Sequence, residues 1–171
     1  MMICELHMTD KNNKHQHMKT LNQWFDEYAE SHQNKTNQTI HFICVPAIFF
    51  SIVGMFMSIP SESISNFTKI NNPFLENWAT PVLILLLIFY IRLSFSTFVR
   101  MLAFSIVCLM GNYFLSIYLP LIYASLTIFI LAWIGQFYGH KLEGKKPSFF
   151  KDLQFLLIGP AWVFEKNSKK K

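Results

Sequence analysis

His32, His41 and His140 are the residues of this 171-residue chain whose type and placement suit chemistry. Each lies at the end of a long apolar stretch, among polar residues that a membrane-crossing helix does not need. Neutral imidazoles are good ligands for iron, zinc or copper. Three of them leave a divalent ion its positive charge and open positions for a substrate or oxygen. Spacing alone selects no metal. Convergence requires that all three reach one side of a membrane, so it depends on the elements that carry them.

Those elements read as membrane helices. Hydrophobic residues make up 52% and aromatic residues 16% of the chain, and the mean hydropathy is +0.29. These values exceed those of an ordinary soluble protein of this size, and the fold class they predict is an all-α polytopic membrane protein. The net charge of +5 does not argue for nucleic acid, because the lysines concentrate in two terminal segments flanking the apolar spans. Residues 1–20 contain no apolar run of seven, which argues against a cleavable signal peptide. Cys4, Cys44 and Cys108 are odd in number and far apart, so no disulfide framework is implied. Glycine-rich phosphate loops, nucleophile elbows and paired-cysteine zinc motifs are missing from the sequence.

Four spans are predicted, at about 42–59, 78–95, 101–119 and 121–139, with Pro120 forming a tight turn and 60–77 a Ser/Asn/Pro-rich loop. The second span is short and needs Arg92 to snorkel, or the helix to continue through Leu93 and Phe95. Four crossings put fourteen Lys and Arg in one compartment and one in the other, which predicts cytoplasmic termini. The host membrane is the inner membrane if the chain is bacterial and the endoplasmic reticulum if it is eukaryotic. A polar leader is expected at 1–19, one membrane domain at 20–165 and a basic tail at 166–171. Amphipathic interfacial helices flank the bundle at both ends, one carrying Leu21, Trp24, Phe25 and Tyr28, the other Phe149, Phe150, Leu153 and Leu157.

Within that frame His7, His15 and His17 belong to the polar leader and are read as solvated. His32 follows Tyr28 by four residues and extends the apolar stripe of the first amphipathic helix. Asn34, Thr36 and Asn37 are turn and N-cap residues, predicting a break that lets His32 and His41 converge. His41 opens the first span and His140 closes the fourth. Gln136, one turn before His140, is costly in lipid unless it supports a site. Glu143 shares a face with His140 if the helix continues, as a fourth metal ligand or as an ion-pair partner of Lys141 or Lys146.

The segments WFDEYAESHQNKTNQTIHFICVP and QFYGHKLEGKKPSFFKDLQFLLIGP resemble a known family. Its members are small four-span membrane proteins, and its characterised fungal member is an iron(II)-dependent 2-hydroxy fatty acid dioxygenase. The resemblance covers residues 24–46 and 136–160 and rests on Tyr28, His32, Asn34, Asn37, His41, Pro46, Gln136, Gly139, His140, Glu143, Gly144 and Pro147. Two positions depart from the family pattern: Gln33 stands where a second histidine is common, and Cys44 where glycine is.

The resemblance implies that His32, His41 and His140 hold Fe(II) and that a 2-hydroxy long-chain fatty acid loses one carbon at the expense of dioxygen by α-oxidation, as in breakdown of the phytosphingosine base. The substrate would chelate the iron through its carboxylate and 2-hydroxyl. Lys35, Lys145 or Lys146 would attract its headgroup, its tail would lie between spans among membrane lipid, and Tyr28, Asn34 and Asn37 would orient imidazoles or substrate. The rival readings are a zinc-dependent membrane hydrolase and a non-enzymatic lipid-binding membrane protein whose histidines only form hydrogen bonds.

Overall fold

The computed structural model describes residues 23, 33–69, 72 and 74–144. Among them every regular element is helical: α1 (Lys35–Met57), α2 (Glu62–Thr68), α3 (Ala79–Leu93), α4 (Phe95–Tyr118) and α5 (Leu121–Glu143). The expected amphipathic helices at either end lie outside the described residues, apart from Gln23, which is helical.

α1 begins where the turn residues predict. Asn34 is its N-cap, and the Asn34 side-chain oxygen accepts from the backbone nitrogens of Thr36 at 2.8 Å and Asn37 at 3.4 Å. The helix then runs 23 residues, through Pro46. α5 starts at Pro120 and ends on Gly144, whose φ of 71° is the left-handed C-cap conformation that glycine adopts without strain.

α1 and α5 form the most extensive helix pair, running antiparallel from Asn37 against Glu143 at one end to Gly54 against Ser125 at the other. α4 runs alongside α1 in the same direction. The Phe49 and Phe104 rings stand 5.2 Å apart, and Asn112 Nδ2 donates to the Phe50 carbonyl at 3.0 Å. α3 returns against α4, and Phe49, Val53, Leu83, Tyr90, Met101 and Cys108 meet in one apolar core.

Among the described residues three helices, α1, α4 and α5, are long and apolar enough to cross a membrane, where four spans were expected. The second expected span is the 15-residue α3, about 22 Å long against an apolar thickness of about 30 Å. It does not continue through Leu93 and Phe95. Ser94 is extended, with φ −167° and ψ 132°, and α4 starts immediately after it. Arg92 lies in the last turn of α3 and Arg100 in the second turn of α4. Arg100 Nη2 donates to Ser96 Oγ at 2.9 Å, one turn back. The expected 60–77 loop likewise contains α2.

Polarity is distributed as lipid requires. Leu85, Phe95, Val107, Leu131 and Ile134 are exposed, whereas Asn37, Ser51, Thr97, Ser105, Asn112, Ser125 and Gln136 are buried. In hydrocarbon the seam between helices is the place where a polar group finds partners.

Candidate functional site

The antiparallel register of α1 and α5 brings His41 and His140 together. Their rings meet edge to face with centroids 5.0 Å apart, and they are 3% and 4% exposed. Both Nε2 atoms are shielded from solvent. Gln136, one turn before His140 on the same side of α5, is also buried.

Two glycines make this approach possible. A Cβ at Gly139 would fall on Asn37 Oδ1, and one at Gly135 would come 2.6 Å from Cys44 Sγ. Together they read G-x-x-x-G in an apolar helix, the spacing that lets two helix backbones close. That signal was in the sequence, but its partner surface on α1 was not. Cys44 packs on Gly135 as a small apolar group.

One turn outside the histidine pair the helices are tied by Glu143. Its Oε1 accepts from the backbone nitrogens of Gln33 at 2.7 Å and Asn34 at 3.2 Å. Its Oε2 accepts from Asn34 N at 3.0 Å and from Asn37 Nδ2 at 3.0 Å. Asn34 and Asn37 thus build the start of α1 and its junction with α5. Tyr28, His32, Lys145 and Lys146 lie outside the described residues.

An ion about 2.1 Å from a nitrogen of each of two imidazoles holds their centroids roughly 4.5–5.5 Å apart. The 5.0 Å pair falls in that range, which an ordinary edge-to-face ring contact also occupies, so the spacing is compatible with a shared ion. Among the described residues no group of three or more His, Cys, Asp or Glu side chains assembles.

An apolar cavity of about 420 Å³ lies between α1 and α3, lined by Phe49, Ile52, Val53, Phe56, Leu83 and Phe89 among others. A second cavity, of about 410 Å³, sits at the opposite end of the bundle from the histidines, with Ser58, Glu76, Asn77 and Tyr113 in its wall.

Apolar outside, polar along its buried seam and closed at one end over an imidazole pair, the chain is built as a helical membrane protein. Residues 18–171 match a family model described as 2-hydroxy-palmitic acid dioxygenase Mpo1-like, and the chain belongs to this Mpo1-like family. No curated protein and no solved structure matches it.

Proposed function

We propose that the protein is an iron(II)-dependent membrane dioxygenase that shortens 2-hydroxy long-chain fatty acids by one carbon. The observation that carries this reading is the buried His41–His140 pair, in a chain whose family is described as 2-hydroxy-palmitic acid dioxygenase Mpo1-like. His41 and His140 would hold the iron, with His32 as the third ligand. When bound, iron(II) supplies the positive charge that draws an α-hydroxycarboxylate and the electrons that activate dioxygen. The stoichiometry balances: one 2-hydroxy acid and one dioxygen give the acid one carbon shorter, carbon dioxide and water.

The chain's own residues bind and orient the substrate. His41, Val45, Phe49, Ile52 and Phe56 recur at four- and three-residue steps and form one stripe along α1. By helical rise, Phe49 lies about 12 Å and Phe56 about 22 Å from His41. One leaflet of hydrocarbon is about 15 Å deep. An acyl chain whose head sits at the imidazoles therefore ends in the cavity between α1 and α3, where each buried methylene contributes about 0.8 kcal/mol. Burial of the two rings keeps water from the reacting end.

Lys35, Arg92, Arg100 and Lys141 cluster at the histidine end of the bundle, and Lys69 lies at the other. That asymmetry supports a cytoplasmic site and cytoplasmic termini, with α3 as a short fourth crossing. Lys35, with Lys145 and Lys146, would draw the carboxylate head to the surface.

The test is anaerobic purification with metal analysis, iron loading, and incubation with 2-hydroxypalmitate under oxygen. The expected product is the fifteen-carbon acid. Intact iron with no product would overturn the reading. Stoichiometric zinc would favour the hydrolase, and absence of any retained metal the lipid-binding protein.

A further inference from the structure

We infer that Glu143 is a positioning residue: its carboxylate clasps the start of α1 and thereby sets the approach of His41 to His140. It is not a fourth ligand. The inference deepens the metal reading proposed above, and only its cobalt readout rests on that reading.

In a capping box, an acidic residue three positions after the N-cap reaches back to the N-cap amide. Here the N-cap is Asn34, and the position three residues on is Asn37, which has no carboxylate. α1 has no acidic residue in its first turn. Glu143 of α5 supplies the missing group across 106–110 residues of sequence, accepting from the Asn34 amide and from the Asn37 side chain that stands where the capping acid would be. Its negative charge also complements the positive end of the α1 dipole. Three donors, the Gln33 amide, the Asn34 amide shared between both oxygens and the Asn37 side chain, engage the carboxylate, so ligation of a metal would compete with at least the shared Asn34 bond.

The clasp stands next to both rings in sequence. Asn37 is one turn before His41, and Glu143 is three residues after His140. The Gln33 nitrogen that Glu143 holds is the peptide nitrogen joining Gln33 to His32. One carboxylate thus reaches the chain beside all three histidines, while the glycine contact of Gly139 with Asn37 keeps the two helices at a fixed distance.

The experiment uses the full chain in nanodiscs, comparing wild type with Glu143→Gln by histidine-ring NMR, amide exchange and cobalt(II) titration. Gln keeps the size but puts an amide donor where an oxygen accepts. In metal-free wild type, the Gln33 and Asn34 amides should exchange slowly and the His41 and His140 rings should share a cross-peak. In Glu143→Gln, exchange at those amides should rise at least tenfold and the cross-peak should weaken. Cobalt affinity should fall about 10–100-fold, with an unchanged cobalt absorption spectrum because the donor set is the same.

Three results would overturn the inference: unaltered exchange and cross-peak in the variant, a changed cobalt spectrum, or loss of Gln33 and Asn34 protection when wild type takes up cobalt. The last two would make Glu143 a ligand. If wild type binds no cobalt, the metal reading fails, and the metal-free cross-peak still decides the clasp. If the variant does not fold, amide exchange in wild type with and without cobalt decides it.

Discussion

α1 meets its neighbours on two faces that are packed to different standards. Toward α5 the backbones close over Gly54, Gly135 and Gly139, and Asn37, His41, Gln136 and His140 are sealed in the seam. Toward α3 large side chains stand apart and leave an apolar cavity of about 420 Å³. A tight seam suits groups that must be held within fractions of an ångström. A loose apolar groove suits a flexible chain whose recognition is mostly a matter of length. The same helix supplies both: His41 lies in the seam, and the cavity begins at Phe49, two turns further along α1.

The sharpest way to break this contrast is at the rings. His41→Ala and His140→Ala should each lower product formation more than a hundredfold and remove stoichiometric metal, measured by elemental analysis and product assay, while the helical content seen by circular dichroism persists. Product formation at wild-type rate by either variant would remove the seam from the chemistry.

Gly139→Val comes next, because its side chain would press on Asn37 Oδ1. Overpacking of this kind costs about 1–3 kcal/mol, so thermal melting should fall and metal binding should fall with it. Gly54→Val, against Asn112 and Ser125 at the far end of the same seam, should lower melting by a similar amount with less effect on metal binding. The difference between the two variants separates stability from site geometry.

On the loose face, Val53→Trp should fill the cavity and Phe56→Ala should enlarge it. Specificity constants across a series of 2-hydroxy acids should then shift by about tenfold in opposite directions, toward shorter chains for the first and longer chains for the second, a differential of about 1.4 kcal/mol. Identical profiles would mean that the tail lies elsewhere. The smallest effect belongs to Asn34→Ala, which removes the α1 cap and should destabilise by about 1 kcal/mol in chemical denaturation.

Much of the tight face was legible in sequence. Asn34 and Asn37 marked the start of α1, Pro120 marked the turn, and the polar residues at the ends of apolar runs marked His41 and His140. Glu143 was legible as a companion of His140, because three residues separate them on one helix. Its partners were not, because the amides of residues 33 and 34 become neighbours only through the antiparallel register of α1 and α5.

The loose face was harder. Residues 78–95 read as a continuous apolar span, and Ser94, a favoured N-cap type that here makes no side-chain cap bond, is overlooked inside that apolar run although it ends α3 and opens α4. Arg92 is helical as the span reading expected, and Arg100 is helical too, since a long basic side chain near a helix end reaches water without unwinding the backbone. Which apolar residues of α1 face a void and which face a neighbour depends on helix separation, which periodicity does not encode.

The seam also has a history in time. Asn37 and Glu143 touch although 106 residues lie between them in the chain. A ribosome adding about 5–20 residues each second delivers the second of them some 5–20 s after the first. During that interval the polar opening of α1, with His41 and Asn37, is already made and its counterpart does not yet exist. Until α5 is made, Asn37 and His41 have no α5 surface to pack against, and translation of α5 is the event that closes the seam. An arrest between α4 and α5 would leave α1 without the helix that covers its polar opening.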